Sequence, residues 1–228
     1  SSKLKNGGKK IELNGPYEIK SKNINIASDP SSAAFFIVAA LILPGSKIEL
    51  KNISLNPTRI AFIQILKKMG GKIRIKRTRN LSGEVVGNVY AQYSILKGIS
   101  IKSSLAPMLI DEYPIIAIAA TQAKGKTTMR GLGELRHKES DRIKSIVLNL
   151  KKLGFDIKSK DENIFIKYKK VFISNKKEIK TYGDHRIAMS FSILKLLYDK
   201  KIKIDDPSCI SISYPKFNRH LKKLLVNS

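Results

Sequence analysis

Three short stretches gather charged side chains where catalysis could use them. In Leu109-Ile-Asp-Glu-Tyr-Pro114, Asp111 and Glu112 stand between an apolar stretch and an apolar helix. Carboxylates at a buried boundary often have displaced pKa values, so the pair is a candidate for acid–base work. In His137-Lys-Glu-Ser-Asp-Arg142, Lys138 and Arg142 are spaced i,i+4, and a helix opening near Lys138 would project both from one face. Glu139 lies i,i+3 from Arg142, close enough for each to orient the other. One cationic face beside a carboxylate suits an acidic substrate that needs proton transfer nearby. The charged face of an ordinary amphipathic helix fits this hexapeptide equally well.

The third stretch, Thr181-Tyr-Gly-Asp-His-Arg-Ile-Ala-Met189, puts His185 and Arg186 in the first turn of a predicted helix. Arg opposes the helix dipole there, and the placement makes sense when an anion sits between the two. The alternative is an Arg folded back onto surface carboxylates. Nucleotide loops of the Walker or G-x-G-x-x-G type, a serine nucleophile elbow and an H-E-x-x-H helix are all missing from the sequence.

The elements that must position these residues follow a repeat. Asp29, Asp111 and Asp184 each precede an apolar helix: PSSAAFFIVAALIL, EYPIIAIAATQA and HRIAMSFSILKLLY. Simple capping accounts for such an aspartate, Asp29 above all. After the first helix, Pro44-Gly45 turns into the strand KIELKNISL, and Asn56-Pro57 reads as N-cap and N1 of the helix TRIAFIQILKKMG. Gly70-Gly71 stops that helix, and a strand pair starting at KIRIKRTR runs to about Ile95. The second unit turns at Lys124-Gly125, continues through the strand KTTMRGL and the helix DRIKSIVLNLKKLG, and ends in the hairpin FDIKSK/NIFIKYKK. LKKMGGKI (66–73) and LKKLGFDI (150–157) are near copies. The third unit has a turn at Asp199-Lys200, the strand KIKI and the helix PKFNRHLKKLLVN, without a closing strand pair.

The reading is an α/β (α+β) chain of three βαβαββ units, about 26–100, 101–173 and 174–228, with the first strand of each ending at its acidic residue. Spacings of this length are too long for a solenoid and suggest pseudo-symmetric packing.

Composition bounds the rest. The chain has 228 residues, 44 Lys and Arg against 18 Asp and Glu, and a formal net charge of +26. Hydrophobic content of 42% supports a packed core despite the charge. The single cysteine, Cys209, excludes an internal disulfide, and with three histidines it argues against structural zinc. The apolar run from Ala33 to Leu43 is shorter than the roughly 20 residues a membrane span needs. SSKLKNGGKK lacks the apolar core of a secretory signal. These features point to a soluble protein of a reducing compartment, without a membrane partner. The charge fits nucleic acid, a small polyanion, or a lysine-rich composition with solvated faces.

Four stretches, SDPSSAAFFIVAALI, LIDEYPIIAIAATQAKGKT, LRHKESDRI and TYGDHRIAMSFSIL, in this order, resemble the 3-phosphoshikimate 1-carboxyvinyltransferases (EPSP synthases). The resemblance covers about residues 10–228 and corresponds to the C-terminal half of a family member. It implies a pseudo-threefold, inside-out barrel domain at 26–228, with residues 1–25 resembling the end of the other domain and the link back. The missing strand pair would be supplied by the N-terminal segment. The implied reaction moves the enolpyruvyl group of phosphoenolpyruvate to the 5-hydroxyl of shikimate 3-phosphate in the cytoplasm, releasing phosphate and needing no metal or organic cofactor.

Carried over by motif, Asp111 matches the proton acceptor that also contacts the shikimate ring, and Glu139 a group in proton transfer. Lys138 matches the lysine near shikimate 3-phosphate, Arg142 and Arg186 the phosphoenolpyruvate arginines, and His185 a neighbour of lesser role. Ile212 stands where many members carry lysine, two residues before Tyr214-Pro215, with Lys216 the candidate substitute. The N-terminal motifs are missing, so the resemblance implies a half-site that is inactive without the N-terminal half. Two alternatives compete: an enzyme transferring enolpyruvate to UDP-N-acetylglucosamine, and a basic nucleic-acid-binding module. The second predicts aromatics interleaved with basic residues on an exposed surface, which a 7% aromatic content without Trp does not favour.

Overall fold

The structure is a computed structural model, and it describes residues 2, 3, 9–16, 18, 20, 21, 23–198 and 201–226. Two short antiparallel strands, β1 (Ser2–Lys3) and β2 (Lys9–Lys10), precede the main body. The body begins with α1 (Pro30–Ile42), β3 (Lys47–Ser54), α2 (Ala61–Lys68), β4 (Lys72–Leu81) and β5 (Glu84–Gln92). Next come β6 (Ser100–Ile101), α3 (Ala106–Leu109), α4 (Tyr113–Thr121), β7 (Lys126–Met129), α5 (Arg142–Lys152), β8 (Asp156–Lys160) and β9 (Asn163–Lys167). The last elements are β10 (Lys177–Ile179), α6 (His185–Lys195), β11 (Ile202–Ile204) and α7 (Phe217–Val226).

α1 and α4 are apolar on every side, which suits a helix enclosed by protein rather than one lying at a surface. Both are buried along nearly their whole length, and they pack against each other and against α6. α2 and α5 are amphipathic and show an apolar stripe to the core. Sheets lie outside the helices, in the orders β3-β5-β4, β6-β7-β9-β8 and β10-β11. The hairpins β4-β5 and β8-β9 are antiparallel, whereas β6-β7 and β10-β11 are parallel. Gly70 and Gly154 close α2 and α5 at φ of 92° and 95°, the left-handed geometry of a glycine stop. The near-copied segments at 66–73 and 150–157 therefore share one device.

Four expectations need correction. Asn56-Pro57 does not open a helix. The Asn56 side chain instead accepts from the backbone N–H and hydroxyl of Thr58, fixing a turn, and α2 starts at Ala61. Asparagine's own hydrogen bonding competes with helix initiation. Lys138 also lies outside a helix. It ends a 3-10 turn over Gly133–His137 with extended backbone, and α5 begins at Arg142 capped by Asp141. The shared i,i+4 face of Lys138 and Arg142 therefore does not exist. The first strands do not end at the acidic residues: β6 stops ten residues before Asp111 and β10 five before Asp184, and Ser28 makes only an isolated bridge to Ile53. Finally, Asp111 does not cap α4: Glu112 stands at the N-cap position, and its side chain makes no capping bond. The expected turn at Asp199-Lys200 lies outside the described residues.

Candidate active site

Arg142 organises the site. It is the first residue of α5, fixed in direction because Asp141 Oδ1 accepts the backbone N–H of Lys144 at 2.9 Å. Asp141 Oδ2 also accepts from Arg136 Nη1 at 3.1 Å. The Arg142 side chain is 1% exposed, a burial that a permanently charged guanidinium tolerates only with its donors satisfied. Three carboxylates from three segments meet that need. Nε donates to Asp184 Oδ2 at 2.8 Å, Nη1 to Asp111 Oδ1 at 3.3 Å, and Nη2 to Glu139 Oε2.

Asp184 has two tasks. Its Oδ1 caps α6 by accepting from the N–H groups of Arg186 at 2.9 Å and Ile187 at 3.3 Å. Its Oδ2 takes the Arg142 bond and a further one from Ser140 Oγ at 3.1 Å. Capping thus brings the 139–142 segment, the start of α6 and the turn before α4 to one point.

Arg186 lies on the other side of Asp111. Its Nη1 donates to the Asp111 backbone oxygen at 3.2 Å, and Nη2 stands 3.3 Å from Oδ2. Arg186 does fold onto a carboxylate, as one of the sequence readings has it, yet that carboxylate belongs to the cluster. The side chains of Asp111 and Glu139 keep 40% and 48% exposure, so both meet solvent while a buried cation orients them. His185 is buried, with Nδ1 3.9 Å from Glu139 Oε1, beyond hydrogen-bond range. Burial, reinforced by Arg186, lowers its pKa below the ordinary 6.5 against the opposite pull of Glu139 and Asp184. The imidazole is accordingly neutral at pH 7.

Two exposed carboxylates, held by one buried guanidinium and flanked by a second, are equipped to exchange protons with a ligand that brings its own negative charge. Of the residues singled out in the sequence, Asp111, Glu139, Arg142, His185 and Arg186 come together. Lys138 is exposed at the edge of the same segment and makes no ion pair among the described residues. Ile212 is 75% exposed in a 3-10 turn, and Lys216 is exposed beyond it; among the described residues neither forms a hydrogen bond or ion pair with the Arg142 cluster.

Sequence reasoning left out Asp184 and Ser140 as site residues and took Glu112 only as half of a candidate acid–base pair with Asp111. Asp184 had a signal, the cap position directly before His185-Arg186. Ser140 had none beyond its neighbours. Glu112 is 4% exposed, and desolvation, the largest influence on it, raises its pKa.

Residues 2–221 match the family model described as EPSP synthase (3-phosphoshikimate 1-carboxyvinyltransferase). The 3-phosphoshikimate 1-carboxyvinyltransferase of Persephonella marina is 44% identical over 218 residues, covering 95% of this chain and 50% of that protein. Its counterpart from Sulfurihydrogenibium sp. is 43% identical over 217 residues, again covering 95% and 50%. The chain thus spans about half the length of the curated relatives it matches. Among solved structures, EPSP synthase from Acinetobacter baumannii superposes with a TM-score of 0.84 at 38% identity, over 89% of this chain and 47% of that one. The enolpyruvyl transferase NikO from Streptomyces tendae shares the fold, with a TM-score of 0.64 at 14% identity over 87% of this chain and 43% of that one.

Proposed function

This chain belongs to the EPSP synthase family, and we propose that it carries the C-terminal half of the site that moves the enolpyruvyl group from phosphoenolpyruvate to the 5-hydroxyl of shikimate 3-phosphate. The carrying observation is the cluster itself: Arg142 buried among Asp111, Glu139 and Asp184, with Arg186 against Asp111. The reaction adds the hydroxyl oxygen to C2 of phosphoenolpyruvate while C3 gains a proton. The tetrahedral intermediate then loses that proton equivalent and inorganic phosphate.

In this reading Asp111 accepts the hydroxyl proton and Glu139 exchanges the proton at C3. Both are oriented by Arg142 and open to solvent, as groups that meet a ligand must be. Arg186, and Arg142 once the ligand displaces an exposed carboxylate from it, offer cationic donors to the carboxylate and phosphate of phosphoenolpyruvate, and negative charge developing on the departing phosphate is stabilised in place. Lys138, exposed and without an ion pair among the described residues, reaches shikimate 3-phosphate. His185, neutral, lines the site without carrying charge.

Residues 26–228 form the catalytic domain of three units in this proposal, and residues 1–25 the end of the other domain with the crossover link. The partner is the N-terminal half of the same enzyme, and the setting is the cytoplasm. No single helix among the described residues is long and apolar enough to cross a membrane. Mixing this chain with the N-terminal half of a family member, phosphoenolpyruvate and shikimate 3-phosphate should restore phosphate release. Turnover by this chain alone would overturn the half-site reading. Silence of the mixture, once the two halves are seen to associate, would overturn the assignment of the reaction.

A further inference from the structure

Lys138 and Glu139 lie on a bend that side chains alone hold in place. Between the 3-10 turn ending at His137 and the start of α5 at Arg142, residues 138–140 make no backbone hydrogen bond among the described residues. A helix or strand fixes its residues through its own ladder, and a bend without one depends on whatever its side chains reach. Two of them reach a partner here. Glu139 takes a bond from the Arg142 guanidinium, and Ser140 bonds to Asp184.

These two anchors respond differently to a ligand. The Glu139 side chain is 48% exposed, and an anion arriving at Arg142 competes with it for that guanidinium. Ser140 instead bonds a group closed to solvent. Asp184 is wholly buried, with Oδ1 taken by the N–H groups that open α6 and Oδ2 by Arg142 Nε at 2.8 Å. Ser140 Oγ stands 3.1 Å from that Oδ2. A hydroxyl has one proton, and a carboxylate paired with a guanidinium only accepts, so the Ser140 proton points to Asp184. Ser145 Oγ is 3.3 Å from Ser140 Oγ, but its closer partner is the Asp141 backbone oxygen at 2.9 Å. Ser145 thereby serves the first turn of α5 rather than the bend before it.

We propose that Ser140 is a positioning residue for Glu139 and Lys138. Its hydroxyl pins the bend to Asp184, so Glu139 keeps its place when a ligand draws Arg142 away from it. Asp184 is itself locked by its cap of α6, which makes the pin a link between the bend and a helix start 44 positions further on. The consequence for catalysis rests on the function proposed above; the pinning does not.

Backbone 15N order parameters of residues 138–140 read the pin directly. Wild type should show the value of a rigid backbone, about 0.85, and Ser140→Ala should fall toward the flexible range, below about 0.6. Ser140→Thr keeps the hydroxyl and should stay rigid. Ser145→Ala removes a neighbouring hydroxyl that does not bond Asp184, and should leave the bend as in wild type. In the mixture with the N-terminal half, Ser140→Ala should lower kcat for phosphate release by about tenfold or more, since small displacements of a reacting group are costly. KM for phosphoenolpyruvate should change little, and Ser140→Thr should restore the rate.

Unchanged order at 138–140 in folded Ser140→Ala overturns the proposal, and so does equal loosening in Ser145→Ala. Should Ser140→Ala fail to fold, the Ser140 hydroxyl proton of the wild-type chain decides. Bonded to Asp184 it is shielded from exchange with water, and free exchange overturns the pin. A bend that loosens in Ser140→Ala while kcat holds leaves the pin standing and removes Glu139 from proton transfer.

Discussion

At the scale of single residues, Arg142 carries the largest stake. Its guanidinium is the only counter-charge among the described residues within salt-bridge distance of Asp184, which is wholly buried. Removing one partner of a buried ion pair leaves an uncompensated charge, so Arg142→Ala should lose about 3–5 kcal/mol of unfolding free energy in urea titration. Glu112 makes a prediction of opposite character. The folded chain holds the Glu112 proton to higher pH than the unfolded chain, whose carboxyl titrates near 4.5. Stability present below that value is therefore lost as pH rises through the raised folded value. Urea midpoints measured against pH should show Glu112→Gln gaining on wild type as the solution is made more alkaline. The motifs that flag Asp111, Glu139, Arg142, His185 and Arg186 are legible in sequence because each pairs an acid or base with a helix start. The Asp111-Glu112 pair was legible too, but which of the two is buried was not, because tertiary packing decides that and no local pattern encodes it.

At the scale of elements, caps and stops decide where the site residues point. Asp141 sets the start of α5, and hence the direction of Arg142, by bonding the Lys144 N–H. Asp141→Ala should cost about 1 kcal/mol as a lost N-cap, and loosening of the Arg142 Nε–H should accompany it in amide and side-chain hydrogen exchange. Gly154→Ala isolates a different effect. The added Cβ would meet only Val171 Cγ1 at 3.7 Å, so the penalty comes from φ of 95° alone. A loss of roughly 1 kcal/mol in denaturant titration is expected. These stops were visible in the sequence because glycine after LKK has one economical use. The start of α2 was not, since Asn56 offers the same signature whether it caps a helix or a turn, and only the Thr58 contacts select the turn. Lys138 was misplaced for the same kind of reason: two candidate caps, Ser140 and Asp141, compete within three residues of it, and α5 takes the second.

At the scale of the molecule, the +26 charge divides into a small part with a position and a large part without one. Lys72, Arg74 and Lys76 alternate with Ile73 and Ile75 along β4, cations outward and isoleucines toward the core, as on any solvated sheet face. Binding to arbitrary double-stranded DNA should therefore be of the counterion-release type, falling by about a thousandfold or more between roughly 50 and 200 mM salt if about six or more phosphates are met. Affinity that survives the higher salt would mark a built nucleic-acid surface. The order of elements and the burial of α1 and α4 were legible because all-round apolarity leaves a helix only the interior. The first strands were not, because two or three residues of pairing carry little periodicity. One consequence of the shared carboxylate remains. Asp184 both starts α6 and anchors Arg142, which precedes it by 42 positions. A ribosome adding about 5–20 residues per second delivers that anchor about 2–8 seconds after the arginine. Throughout that interval the Arg142 guanidinium has only Asp111 and Glu139 to pair with and lacks its buried anchor. The anion-binding corner is thus a late product of translation, and any factor that shelters it must act before α6 winds.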